Sequence, residues 1–576
     1  MEKGMIDHGT MDHGTMEHGV MEHGAIDRGI TEHGVMEHGI LNTQEQGQTP
    51  QSVLTAATVD ENKFKPDMVD FSYAVFVFVL GYFFSSWVLF TWRGWGVAVF
   101  TSVYLFAATR YLAKKDSLAK SKEMYFWMIV TLLTGVSYAL WDNLGLARVR
   151  GAFLFCSAVY YVIVASGRTI MGETGNFLLL DALNAVVIIP FGNFLNQYVS
   201  IKGLRVGSDR HKNTVSIALG LVLAVFLVLC LNPLLSRADS GGFRIVSEFL
   251  ATVLTIPLEY RFNVVTNLFL AFPIAAYIYG LFSGVAHEKA TSIIKPESAK
   301  RTATALRIFQ PMTVHIALGA VCGLYLVFIF SQVPYFFSAF TGNRPVGWLI
   351  YSNYARQGFF ELCRIASINL VLVLLGNVMC NKQDADMKRL KTLNSVLAII
   401  TLVLIATAVS KMALYISAYG LTMRRLLPCV FMIFLAAVFV ALIILQRKDF
   451  SILRFALVVG SAMLCALFVS NPDAAVVRYN TNRYLSGTLA EYDGDLLYSS
   501  GSAGLGIALF AYESIPENDN ARYNINRYIQ YVRGNINRMY SRSLSIWGGG
   551  ANERNLEYWI AKRLLNRHGY SISGGG

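Results

Sequence analysis

Charge is scarce in this sequence. Asp, Glu, Lys and Arg supply 15% of its 576 residues, against about 25% in an ordinary soluble chain. Hydrophobic residues make up 54% and the mean hydropathy is +0.45, so the deficit excludes an ordinary soluble domain and places the chain in the membrane class. Paired cysteines are missing as well. Cys156, Cys230, Cys322, Cys363, Cys380, Cys429 and Cys465 lie in or beside apolar runs with no CxxC, which argues against a disulfide framework or a cysteine zinc site. The first forty residues are not apolar, so no cleavable signal peptide is expected. Catalytic signatures are absent too: there is no P-loop, HExxH or GxSxG, and no GxGxxG between a strand and a helix. Gly501-Ser502-Ala503-Gly504 and Gly548–Gly550 lack the strand–loop–helix setting that cradles phosphate. No catalytic residue is therefore assigned.

What is present is a long succession of apolar runs. A span needs about 20 apolar residues, and candidates fall near 71–90, 95–113, 124–141, 150–166, 177–199, 214–235, 263–285, 311–333, 358–380, 393–417, 427–446 and 452–470. Trp87, Trp92, Trp95, Trp127 and Trp141 stand at the ends of the early spans, as an interfacial aromatic belt should. The formal charge of +12 would suggest nucleic acid in a soluble protein. Here the cations sit in short loops between apolar runs, which is the positive-inside pattern. The lipid bilayer, not nucleic acid, is the expected surrounding.

Loops 110–123, 200–213, 286–310, 381–391 and 446–454 are basic and expected on the cytoplasmic side. Two cytoplasmic loops need an even number of spans between them, yet three candidates separate the first two. The weakest is 177–199, which contains Asp181, Asn184, Pro190, Asn193, Asn196 and Gln197. It is expected to be broken, re-entrant or buried in the bundle, since irregular backbone at that depth needs protein or water around it. The expected fold is all-α, a polytopic transmembrane bundle of about 11–12 spans in the cell (plasma) membrane. The amino terminus is expected to be cytoplasmic and the carboxy terminus extracytoplasmic.

Three regions follow: a tail and linker over 1–66, a transmembrane domain over 67–470 and a carboxy-terminal helical module over 471–576. Residues 6–40 repeat every five residues, as in MDHGT, MEHGV and MEHGA. Glycine at that frequency opposes a stable helix, so a disordered tail is expected. His8, His13, His18, His23, His33 and His38, with Met11, Met16, Met21 and Met36, offer imidazole and thioether ligands suited to copper, or imidazole alone for zinc or nickel. The alternative is repeat expansion without a selected role. In the outer loops, 236–262 reads as a balanced segment with an amphipathic helix, and 334–357 as an aromatic loop at the interface. Asn471-Pro472-Asp473 reads as a helix start. About four amphipathic helices follow. Ile525, Tyr528, Ile529, Val532, Ile536 and Met539 form one apolar stripe, and Leu556, Trp559, Ile560 and Leu564 another; both are expected in the module's core.

Residues 351–422 carry charges within or beside apolar runs, where they normally face protein or water and have a partner. Glu361, Arg364, Ile365, Ile368 and Asn369 share a helix face by spacing, as do Lys411, Tyr415 and Tyr419. Counting from cytoplasmic Lys391, Lys411 lies about 30 Å along its helix, at the depth of Glu361. Glu361, Arg364, Asn369, Lys411 and Tyr415 are the candidate polar intramembrane cluster; snorkelling to the headgroups is the alternative. His315 reads as a hydrogen-bonded packing residue, because no second ligand stands at metal spacing.

The segments YARQGFFELCRIASINL, KMALYISAYGLT and NPDAAVVRYNTNRYL, with the ending NERNLEYWIAKRLL, resemble the bacterial membrane family DUF4173 and its relative DUF4153. The resemblance covers roughly residues 70–570 and implies a polytopic membrane fold with a small carboxy-terminal module, and no activity. Three functions remain in view. The first is a structural or regulatory membrane protein that binds a protein partner through the module. The second is a small-solute transporter, for which inverted repeats would be the mark. The last is a membrane-embedded transferase, which would need paired outer-side carboxylates where the outer loops offer only Asp142, Asp239, Glu248 and Glu259.

Overall fold

The computed structural model describes residues 64–203 (apart from 173 and 176), 258–288, 307–341, 348–380, 384–446, 451–544 and 551–570, with a few isolated positions between. The repeat tail with its six histidines, the expected span 214–235 and most of the 236–262 loop lie outside the described residues. Among those described, every regular element is helical, and eleven helical segments are long and apolar enough to cross a membrane.

The first six of these are α1 (Met68–Phe83, continued by a π-helical stretch Phe84–Leu89), α2 (Gly94–Lys114), α3 (Lys122–Leu140), α4 (Ala147–Ala165), an interrupted segment, and α8 (Leu258–Ala286). Side-chain caps set the starts. Asp67 and Asp70 form a reciprocal capping box on α1, and Ser121 accepts the Met124 N–H at 3.1 Å to open α3. The interrupted segment runs as α5 (Leu178–Leu183), a π-helical stretch (Asn184–Ile188), α6 (Ile189–Gly192), a turn, and α7 (Asn196–Gly203). Pro190 has no N–H to continue a helical ladder, and the break expected at 177–199 falls just after it. Protein groups satisfy the broken backbone. Asn193 Nδ2 donates to the Ile189 carbonyl at 2.9 Å, and Gln197 Nε2 to the Ala74 carbonyl at 2.9 Å. Gly280 of α8 lets the break approach: a Cβ there would stand 2.5 Å from the Pro190 oxygen.

The other five are in α9 (Pro311–Thr341), α10 (Trp348–Met379), α11 (Asp384–Tyr419), α12 (Met423–Leu445) and α13 (Ile452–Val469). The expected loop 334–357 is thus corrected: helix runs to Thr341 and resumes at Trp348. At an apolar depth the helical ladder pairs backbone groups that a loop would leave bare.

Helices α14 (Pro472–Leu485), α15 (Gly494–Ser499), α16 (Leu505–Ser514), α17 (Asn520–Leu544) and α18 (Leu556–Arg567) complete the chain, five where about four were expected. Asn471 caps α14, accepting the Ala474 N–H at 3.2 Å. Three separate cores result. One joins α1–α4, the interrupted segment and α8, with Cys465 of α13 packed in; the second joins α9–α13; the third lies within 477–565. Ile525, Tyr528, Ile529, Val532 and Ile536 are buried in the third, as the periodicity anticipated. The stripe on α18 is corrected: Leu556, Trp559 and Ile560 are exposed, Trp559 by 49%, while Tyr558, Ala561 and Leu565 face the core. The spacing of three, then four, fits both faces equally, and packing against the rest of the module selects the second.

Candidate functional site

The module meets the membrane domain at a buried polar junction. Its approach is set by backbone. The Trp95 N–H donates to the Arg554 carbonyl at 3.0 Å, and the Gly96 N–H to the Asn552 carbonyl at 3.1 Å. Gly94 has φ +76°, and a Cβ there would stand 2.2 Å from the Asn552 oxygen, so only glycine fits. Trp95 Nε1 adds a bond to the Ala551 carbonyl at 2.8 Å.

Behind this seam lies Arg150 of α4, 0% exposed. Its guanidinium donates to the Trp141 carbonyl at 2.8 Å and the Asp142 carbonyl at 2.6 Å, and sits 3.7 Å from the centre of the Tyr138 ring. Arg150 thereby closes the α3–α4 turn and holds Asp142 toward the module. Asn555 Nδ2 donates to Asp142 Oδ1 at 2.8 Å, while its own Oδ1 caps α18 by accepting the Tyr558 N–H at 2.8 Å. Glu557 completes the latch: Oε2 accepts the Asp142 N–H at 3.0 Å, and Oε1 accepts the Ser502 hydroxyl at 2.6 Å. Trp141 Nε1 and Asn143 Nδ2 bond the Val469 and Phe468 carbonyls at 2.8 and 2.6 Å, tying the same turn to the end of α13.

Asp473 and Glu557 are buried here and Asp142 is half-buried, and removal from water disfavours their charged forms. Glu557 is pushed up to about 7 by burial and then by the nearby Asp142 carboxylate; its bonds from Ser502 and the Asp142 N–H oppose this. Asp473 is pushed up to about 6 by burial; the Gly145 and Leu144 N–H groups and Arg150 pull it back. Its Oδ2 has no hydrogen-bond partner among the described residues. Burial also raises Asp142, against Arg93, Arg150 and Asn555. Three carboxyl groups thus gather where two parts of the chain meet. Two pockets flank this meeting point. One of about 400 Å³ is lined by Trp141, Arg478, Phe510, Glu557 and Ile560; the other, of about 360 Å³, by Arg93, Asp142, Ser502 and Arg538. Among the described residues no three His, Cys, Asp or Glu side chains converge as a metal-holding group.

A second ionic knot closes the far end of α2. Asp70, wholly buried, accepts from Lys115 Nζ at 2.8 Å and the Tyr111 hydroxyl at 2.7 Å, with His287 Nε2 at 3.1 Å. Every partner is in place, so it reads as a structural tie among α1, α2 and α8.

The residues expected to cluster at 361–415 fall in four settings. Asn369 is buried between helices: the Tyr325 hydroxyl donates to its Oδ1 at 2.8 Å, and its Nδ2 donates to Thr401 Oγ1 at 3.0 Å. Glu361 and Arg364 lie on the exposed side of α10, and Gln357 Nε2 meets Glu361 at 3.4 Å. Lys411 is half-buried over Gly358, whose built Cβ would stand 3.5 Å from its Nζ. Glu361 is the opposite charge that acts on it, though no ion pair within 4 Å joins the two among the described residues. Tyr415 carries the Arg425 guanidinium 4.5 Å from its ring centre. His315 Nε2 is buried with no hydrogen-bond partner among the described residues, against the expectation of a bonded packing role.

The fold and the eleven apolar helices among the described residues define an integral, multi-pass helical membrane protein. The family model described as domain of unknown function DUF4153 matches residues 128–507, well over half of the chain. The chain belongs to that family, the second of the two related families whose motifs it resembles. The match runs from within α3 into α16, across the junction of bundle and module. No curated protein and no solved structure matches the chain.

Proposed function

We propose that the chain is a regulatory membrane protein whose carboxy-terminal module binds a protein partner and couples that binding to the bundle. The observation that carries this reading is the latch of Asp142, Arg150, Asn555 and Glu557, which ties the module to the transmembrane helices through buried polar groups. Phe510 and Ile560 stand exposed at the 400 Å³ pocket beside Glu557, with Leu556 and Trp559 nearby on α18. A large apolar side chain of a partner segment suits that place, because such exposed clusters usually mark interaction surfaces. In this reading the module faces the extracytoplasmic side of the plasma membrane.

The test is site-specific photo-crosslinking at Phe510 in native membranes, with Tyr523 on α17 as the comparison. A single stoichiometric adduct at Phe510, lost in Ile560→Ser and with altered yield in Glu557→Gln, supports the reading. Adducts of equal diversity at both positions contradict it.

One feature favours transport of a small solute instead. Asn184, in the π-helical part of the interrupted segment, is buried with neither amide atom hydrogen-bonded among the described residues. Such sites often serve function in transporters. Solute flux in reconstituted liposomes that Asn184→Leu abolishes without unfolding would favour this second reading; unchanged flux would remove it.

A further inference from the structure

Three irregularities meet at one place in the bundle. The π-helical stretch after α1 brings Phe84 and Val88, the interrupted segment brings Phe191 and Phe194, and α8 brings Pro273. Between them, α2 and α4 is a cleft of about 430 Å³, in the roughly 300–1,000 Å³ range of small-molecule sites. Its floor is buried, with Tyr104 only 5% exposed and Phe100, Leu154 and Val159 beside it. Its rim is not: Phe191 is 60% exposed, and Phe155 and Pro273 are exposed too. The polar groups of the floor are already satisfied. Thr101 Oγ1 donates to the Val97 carbonyl at 2.8 Å and the Tyr104 hydroxyl to the Ala158 carbonyl at 3.2 Å. A site with no polar partner to offer does not hold water, and at the depth of these spans the neighbouring medium is hydrocarbon.

We propose that this cleft is a binding site for one acyl chain of a bilayer phospholipid. A flexible chain enters sideways past Phe155 and Phe191 and lies against Tyr104 and Val159. Helix irregularities give the cleft its shape. Regular helices packed at the usual distance of about 8–10 Å would close the space, whereas the π-helical stretches and the break at 193–195 turn side chains away from the ladder. The interior of the bundle is therefore built to take up lipid chain, unlike the exposed flank of α3, where Ile129 and Leu132 meet the bilayer only at its surface.

The full chain in nanodiscs carrying a phosphatidylcholine with a diazirine on one acyl chain tests this, with adducts mapped by mass spectrometry. Expected are adducts on Tyr104 and Phe100 in yields comparable to those on the exposed Ile129. Ala158→Phe and Leu281→Trp, which fill the cleft from two different helices, should each lower the floor adducts several-fold and leave Ile129 labelling unchanged. Adducts confined to rim and flank residues would overturn the proposal, since they would come from surrounding lipid alone. So would floor labelling that both folded variants retain. A diazirine-bearing prenyl alcohol serves as the second probe; floor adducts from it and none from the phospholipid would also reject the assignment.

Discussion

The two halves of the membrane domain are stabilised differently. Through α8, the bundle buries ionised or ionisable groups outright: Asp70, Arg150 and Asp181 are all within the protein. From α9 to α13 the buried polar groups are neutral, namely Asn369, Asn394, Thr401, Thr407 and Ser461, and no Asp, Glu, Lys or Arg is buried among the described residues. Both halves reach the module, through different chemistry. The second does so with backbone-directed bonds: Asn480 clasps the Leu421 N–H and carbonyl at 2.7 Å each, and Arg483 Nη1 donates to the Ser417 carbonyl at 2.8 Å. The first adds to its own backbone bonds from Trp95 and Gly96 a side-chain latch of Arg150 and the carboxyl groups. The Asn480 clasp contains no titratable group, whereas the latch contains carboxyl groups that burial raises. On the proposed function, the first half is the responsive side of the junction and the second half its fixed side.

The largest expected effect follows from Arg150. Arg150→Met leaves the Trp141 and Asp142 carbonyls bare and the nearby carboxylates without their buried cation, a loss of the kind that costs about 3–5 kcal/mol. Arg364→Gln, on the exposed side of α10, should change stability by no more than about 0.5 kcal/mol. Thermal unfolding in detergent measures both, and equal losses would erase the contrast between the halves. Gly94→Ala comes next. A left-handed φ costs a non-glycine residue roughly 1–2 kcal/mol, and the clash with Asn552 adds to it. Limited proteolysis of the 551–555 segment should accelerate while α10 and α11 stay intact. The smallest effect concerns Glu361 and Lys411. Glu361 acts on half-buried Lys411 through its charge without an ion pair within 4 Å, so a cycle of Glu361→Gln and Lys411→Met should show a coupling of only about 0.5 kcal/mol, the low end for interacting residues. A larger coupling would restore the expected cluster in the second half.

Much of the fold was legible from apolar length and turn residues. Eleven of the twelve expected spans correspond to described helices, and the weak segment 177–199 breaks where its Pro and Asn residues accumulate. The candidate site was much less legible. Asp142 stood out only as one of four outer-loop acids and Asp473 as a helix-start residue, while Glu557 was not singled out at all. Nothing local links them, because the contact joins positions more than three hundred residues apart. One signal was available: Arg150 follows the start of an apolar run, ARVRGAFLFC, and a cation in a span normally has a partner. On α10 the opposite error arose. Spacing put Asn369 near Glu361 and Arg364, yet a helix face is broad, and Asn369 falls on the buried stripe with Phe359, Leu362 and Ala366.

Hydrogen exchange of residues 551–558 as a function of pH tests the proton-dependent latch most directly. Glu557 in the docked state is raised from its ordinary value of 4.5 to about 7, and Asp473 from 3.8 to about 6. The docked state therefore holds its protons more tightly. Its extra stability is complete below about pH 4 and is lost as pH rises towards 7, on the order of 3 kcal/mol for Glu557. Expected is protection of 551–558 that falls between pH 5 and pH 7 after correction for intrinsic exchange, while the Asn480 clasp at 420–422 keeps its protection. Glu557→Gln should flatten most of that dependence. Protection of 551–558 that stays constant across this range in the unmodified chain would contradict the proton-dependent latch.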